Sequence, residues 1–259
     1  MPDLVEQAAA ATALPGLAEL RRVAIVPALN EELTVPRVID ELRAFDPGLD
    51  IVVVDDGSTD RTAAVAAAQG ARVLRLPFNL GIGGAVQTGF RFAFESGYDL
   101  AVRVDGDGQH DPAQLAAVLA PVLRGEADIA VGSRFAAAGP DGYRSSRSRR
   151  VGIRILAAVV SRIVGQRVTD TTSGFQALNR KGIALFARDY PHDYPEVEAT
   201  VMVFRHRLRL AEVPVTMRER GGGRSSITAL RSIYYMIKVL LAVFVGLFRR
   251  PDLLDEGAL

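Results

Sequence analysis

Apolar runs and helical spacings alternate along the first half of the chain. Val23-Ala24-Ile25-Val26 is a short apolar run ending in Pro27, and Leu33, Val38, Ile39, Leu42 and Phe45 then recur at the spacing of one helix face. Thr34 stands where it would cap that helix, Pro36 fits its first turn, and Asp46-Pro47-Gly48 stops it. A β-branched strand at Ile51 to Val54 then leads through Asp55-Asp56-Gly57-Ser58 into an alanine-rich helix that closes at Gly70. Val73 to Leu76 predicts a third strand and Gly83 to Ser96 a third helix, and Leu100 to Val104, Pro112 to Arg124 and Asp128 to Val131 continue as strand, helix, strand. Strands apolar on both faces, alternating with helices, predict an α/β fold: a mostly parallel sheet with helices on both faces. Function is then expected at the carboxyl ends of the strands.

After Gly132 the alternation fades. A basic run from Arg144 to Arg150 leads into an apolar helix, Ile153 to Val164, and a second apolar stretch, Ile227 to Phe248, ends in Arg249-Arg250-Pro251. Residues 1–20 are alanine-rich without the basic start of a signal peptide, and read as a frayed leader or short helix. The expected organisation is a leader at 1–20, one α/β domain at 21–226, and an apolar or amphipathic helix with a tail at 227–259.

Composition narrows the chemistry. With no cysteine and three histidines (His110, His192, His206), thiolate zinc sites and disulfides are excluded and a histidine-built metal cluster is disfavoured, so a metal would sit on carboxylates. The 31 basic and 30 acidic residues leave a net charge of +1, which offers no global field for nucleic acid.

Polar strings stand where apolar strands stop. Asp105-Gly106-Asp107-Gly108-Gln109-His110 follows Leu100 to Val104, and two carboxylates one residue apart there can reach a hard cation and a diphosphate oxygen together. The string also reads as a polar turn, but the ordered ligands of an EF-hand loop are absent. Asn30-Glu31-Glu32 after the first strand and Asp55 to Asp60 after the second read singly as caps and turns. Three such loops on successive strand ends suit the hydroxyls and ring N–H of a nucleoside. Gly81-Ile82-Gly83-Gly84 lacks the full dinucleotide spacing and follows the third strand; these glycines suit close packing of a helix start.

In this order, Pro27 to Glu32, Asp55 to Asp60, Asn79 to Ala85, Asp105 to Pro112 and Gly132-Ser133-Arg134 resemble the family 2 glycosyltransferases of GT-A (Rossmann-like) fold. Thr169 to Gln176, Glu212-Val213-Pro214-Val215 and Arg220 to Ser225 are most similar to the polyprenyl-phosphate (dolichyl-phosphate) sugar transferases within that family. The resemblance implies an inverting transfer from a nucleotide-sugar. Pro27, Asn30, Glu32, Asp55, Asp56 and Gly84 would frame the nucleotide, and Asp105, Asp107 and Gln109 would hold Mg2+ or Mn2+ on the diphosphate. Arg220, Arg224 and Ser225 would close over the donor, although Gly221 to Arg224 also reads as a solvated linker. Gln176 and Ser226 depart from the family, which often carries arginine and lysine there; Arg224 is the candidate to supply the missing charge.

The acceptor stays open between a polyprenyl phosphate, already ionised, and a hydroxyl that needs a base; Asp170 is the candidate base, with Glu196 or Glu198 behind it. A silent nucleotide-sugar-binding partner of a small membrane protein is the remaining alternative. Ser232 to Phe248 as a helix would span about 25 Å, short of the roughly 30 Å hydrocarbon core, so it suits a membrane surface or packing on the domain or on a second copy. With the basic run at Arg144 to Arg154, this implies a cytoplasmic, peripheral location at a membrane.

Overall fold

The computed structural model describes residues 14–136, 147–192 and 195–218, together with Lys238, Leu241 and Phe244. Seven strands, β1 (Arg22–Ala28), β2 (Asp50–Asp55), β3 (Arg72–Arg75), β4 (Leu100–Arg103), β5 (Ile129–Ser133), β6 (Gln176–Asn179) and β7 (Leu210–Pro214), form one sheet in the order β3-β2-β1-β4-β6-β5-β7. All pairings are parallel except those of β6, which runs antiparallel to β4 and β5. The expected mostly parallel α/β sheet is therefore present, with one reversed strand that the sequence pattern did not reveal.

Seven helices complete the described fold: α1 (Val35–Phe45), α2 (Thr62–Ala68), α3 (Gly81–Glu95), α4 (Leu115–Leu123), α5 (Arg147–Val164), α6 (Arg180–Arg188) and α7 (Pro195–Arg205). The two-residue period of the strands divides them between faces. Ala24, Val26, Ile51 and Val53 pack with Val38, Ile39 and Leu42 of α1 and with Leu115 and Val118 of α4. Val23, Ile25, Val52 and Val54 meet Val86 and Phe90 of α3, Phe186 of α6 and Val203 of α7 on the other side. Leu156 and Val160 of α5 join Val197 and Val201 of α7 in a third, smaller cluster.

Local expectations shift in three places. Leu33, expected on the buried face of the first helix, is 89% exposed, because the helix starts only at Val35. Thr34 occupies the cap position, but its hydroxyl donates back to Glu31 instead of accepting from the first turn. The helix expected from Ile153 begins at Arg147. Chain order places β2 and β3 on one side of β1 and β4 on the other, so a crevice opens at the carboxyl ends of β1 and β4.

Candidate active site

Every polar string singled out in the described sequence comes to this one edge of the sheet. Pro27 lies at the end of β1; having no N–H, it gives nothing to the ladder, while its carbonyl accepts the Gly106 N–H at 3.1 Å. Asn30 adopts φ 56°, a left-handed conformation that asparagine tolerates better than most residues. Its Oδ1 accepts from the Thr59 N–H (2.9 Å), and its own N–H donates to Ser58 Oγ (2.9 Å). Glu32 accepts the Arg61 N–H at 3.0 Å and donates its own N–H to Asp60 at 3.2 Å. The loops after β1 and β2 are thereby tied into one wall.

Asp55 is fully buried at the end of β2. Its Oδ1 accepts the Ser58 N–H (3.0 Å); its Oδ2 has no hydrogen-bond donor among the described residues, although Arg75 Nε lies 3.5 Å away. A buried acceptor without a donor costs about 1–3 kcal/mol, which a ligand N–H would recover. Asp56 Oδ1 accepts the Leu80 N–H at 2.7 Å and so anchors the start of α3. Burial raises the Asp56 pKa against the pull of the Leu80 and Gly81 N–H groups, and Asp55 beside it adds repulsion. At Gly83 a Cβ would lie 2.6 Å from His192 Cα and would strike the Pro191 carbonyl, whereas at Gly84 it would meet only the Leu80 side chain. Gly83 thus carries the close packing expected of these glycines.

Asp105 and Asp107 leave β4 toward the crevice. Asp105 keeps 30% of its side chain exposed; Asp107 is buried and accepts the Gln109 N–H at 3.0 Å. The Asp105 N–H donates to His110 Nδ1 (3.0 Å), which leaves the proton of a neutral ring on Nε2, 3.8 Å from Asp105 Oδ2. Burial lowers the His110 pKa, partly offset by Asp105, and the ring stacks on Phe175 at 5.0 Å. Among the described residues no three His, Cys, Asp or Glu side chains gather as a complete metal cage. Mg2+ and Mn2+ do not require one: one or two carboxylates plus substrate phosphates suffice, so the hard oxygens of Asp105, Asp107 and Gln109 fit a cation carried on a diphosphate. The Gln109 carbonyl accepts the Arg218 N–H at 2.9 Å, and the Arg218 guanidinium bridges Glu41 and Asp111 at 2.7 Å each. Arg220, Arg224, Ser225 and Ser226, just beyond, lie outside the described residues.

Asp170 does not stand ready as a base. The residue is 2% exposed, and its carboxylate takes Arg134 Nε at 2.7 Å and Nη2 at 2.8 Å, with the Thr172 N–H at 3.1 Å. Burial alone would raise its pKa, but the Arg134 fork outweighs burial and holds it below the usual 3.8. Glu212 of β7 cradles the same loop from below, accepting the Thr169 and Asp170 N–H groups at 2.8 Å. Glu196, one of the two reserve bases with Glu198, accepts from Arg103 at 3.0 Å. Gln176 is buried at the start of β6, its amide donating to the Ser173 carbonyl at 3.3 Å, and its Oε1 has no hydrogen-bond partner among the described residues.

Arg103, Arg134, His110 and Glu212 shape this site without having been assigned roles from the sequence. His110, Arg134 and Glu212 lie in segments that carry the family resemblance, and Arg103 carried a different signal, a charge inside an otherwise apolar strand, Leu100-Ala101-Val102-Arg103-Val104, which must find partners if the strand is buried on both faces.

The model of glycosyl transferase family 2 matches residues 23–185. An undecaprenyl-phosphate mannosyltransferase of Micrococcus luteus is 34% identical over 218 residues, 81% of this chain and 88% of that one. A polyprenol monophosphomannose synthase of Mycolicibacterium smegmatis is 31% identical over 229 residues, 85% of each chain. A glucosyl-3-phosphoglycerate synthase of Mycobacterium tuberculosis, solved with Mn2+, uridine diphosphate and glucosyl-3-phosphoglycerate, is similar with a TM-score of 0.67 and 25% identity, over 98% of this chain and 86% of that one.

Proposed function

Because the chain belongs to glycosyl transferase family 2, we propose that this glycosyltransferase of GT-A fold moves a hexose from a nucleotide-sugar to a polyprenyl phosphate at a membrane surface, with inversion. In a single in-line displacement an acceptor phosphate oxygen bonds to the anomeric carbon from one side. The bond from that carbon to the diphosphate oxygen breaks on the other, and the electron pair leaves with the nucleoside diphosphate. The wall of Pro27, Asn30 and Glu32 with Asp55 and Asp56 receives the nucleoside, and Gly84 lies in the helix start beside it. Asp105, Asp107 and Gln109 would hold Mg2+ or Mn2+, and a cation there neutralises charge on the departing diphosphate. Arg220, Arg224 and Ser225, which the resemblance assigns to the donor diphosphate, follow Arg218 by two to seven residues in the sequence.

One observation carries the choice of acceptor: Asp170 and Glu196, two of the three candidate bases, are both engaged by arginines, Arg134 and Arg103. An ionised lipid phosphate needs no base. The two polyprenyl-linked mannosyl relatives support the same acceptor. A second reading, transfer to a hydroxyl, draws on the likeness to the phosphoglycerate enzyme. The test is a donor screen with undecaprenyl phosphate that reads nucleoside diphosphate release and then treats the product with mild acid. A labile sugar–phosphate linkage is expected; an acid-resistant product would establish the second reading, and donor binding without turnover would leave a silent binding partner.

A further inference from the structure

Arg103 heads the largest side chains fully buried among the described residues, at 1% exposure on the floor of the crevice. A cation in that position persists only with its donors satisfied. Its Nε donates to Asp105 Oδ1 at 3.3 Å, Nη2 to Glu196 Oε1 at 3.0 Å and Nη1 to the Tyr190 hydroxyl at 3.1 Å. Burial would lower the Arg103 pKa; Asp105, Tyr190 and Glu196 outweigh it and keep the guanidinium charged. The backbone at Gly174 lies across the group: a Cβ there would come within 2.7 Å of Nη2 and 3.1 Å of Asp105 Oδ2. The end of β4, the loop before β6 and the start of α7 therefore close on one side chain.

The two carboxylates do not share it equally. At 3.3 Å the contact with Asp105 is longer than the 2.7–2.9 Å of a strong charge-assisted hydrogen bond, so Asp105 is steered without being neutralised. Glu196 takes the shorter contact, at 3.0 Å, and sets a second negative charge against the guanidinium beside Asp105.

We infer that Arg103 is a positioning residue for Asp105, holding Oδ1 so that the exposed part of the carboxylate faces the diphosphate, and that Glu196 keeps Arg103 from cancelling it. The inference rests on the reading of Asp105 and Asp107 as the cation-holding pair. Two substitutions follow with the same sign. Arg103→Lys keeps the charge but loses the planar fork that spans Asp105, Tyr190 and Glu196. Glu196→Gln keeps an acceptor oxygen for Nη2 but leaves the whole positive charge beside Asp105.

The test titrates Mn2+ alone into the full chain and follows loss of the free-ion electron paramagnetic resonance signal. Arg103→Lys and Glu196→Gln should each weaken Mn2+ binding about tenfold, the usual effect of removing a partner of a metal ligand. Val197→Ala, which loosens the same helix at a position 1% exposed, should bind as wild type. If Asp107→Ala abolishes binding while Arg103→Lys and Glu196→Gln bind normally, the cation site stands and Arg103 is only a buried structural pair. An equal loss in Val197→Ala overturns the inference in favour of general loosening. If wild type binds no Mn2+ either alone or with uridine diphosphate added, both the inference and the site reading fail. Should Arg103→Lys not fold, Glu196→Gln decides alone, because its side chain is 18% exposed and keeps the hydrogen bond.

Discussion

Asp170→Asn removes the carboxylate that takes two donors of Arg134, in a pair whose side chains are 0% and 7% exposed. Breaking such a buried pair costs about 3 kcal/mol, and the urea midpoint should fall accordingly. The pH dependence has a definite sign. Asp170 and Asp128 both have folded pKa values below 3.8: burial opposes this in each, and Arg134 and Arg209 respectively outweigh it. Their contribution to stability is complete above about pH 4 and is lost as the pH falls through those lowered values. Urea midpoints between pH 2 and 6 should drop steeply below 4 in wild type and less steeply in Asp170→Asn. Asp55→Asn offers a different readout. Its orphaned Oδ2 is the acceptor proposed for a donor N–H, so nucleotide-sugar affinity measured calorimetrically should weaken by about 1–3 kcal/mol. These roles were unequally visible in the sequence. Asp55, Asp105 and Asp107 stand out because a carboxylate after an apolar strand has few reasons to be there. Arg134 and Glu212 do not, because their partner Asp170 lies 36 and 42 residues away and only the sheet brings the three together.

At the scale of elements, the start of α3 shows how a donor loop is held. Asp56 caps it through Leu80, and Gly83 lets it rest against the backbone of Pro191 and His192. Gly83→Ala should therefore destabilise by about 1–3 kcal/mol through overpacking, despite the roughly 1 kcal/mol that alanine gains in a helix. Chemical denaturation measures the balance, and net stabilisation would show that the contact yields. The β1–α1–β2–α2–β3–α3–β4–α4–β5 order was legible from periodicity because each element is amphipathic or buried in a regular way. β6 was not: Gln176 to Asn179 is four residues long, and its reversed direction is set by pairing with β4 and β5, which no local pattern encodes.

For the molecule as a whole, no helix among the described residues is long and apolar enough to cross a membrane. Lys238, Leu241 and Phe244 are described as helical and exposed; the rest of 219–259 and the side chains of the basic run lie outside the described residues. The proposed division at residue 226 is tested by removing residues 230–259. Sedimentation with anionic vesicles should fall several-fold while nucleotide-sugar affinity stays within twofold of wild type; lost affinity would assign the segment to the catalytic domain. By itself the sequence determined the layered α/β architecture, the edge of the sheet where the polar loops gather, and which acids crowd there. These depend on local periodicity and on polar residues that interrupt apolar strands. Only the tertiary structure decided how deeply each of those acids is buried and how closely an arginine holds it. Asp55, Asp105, Asp170 and Glu196 look alike as letters, and what separates them is burial and the distance to a guanidinium from another part of the chain, both set by the packing of the sheet.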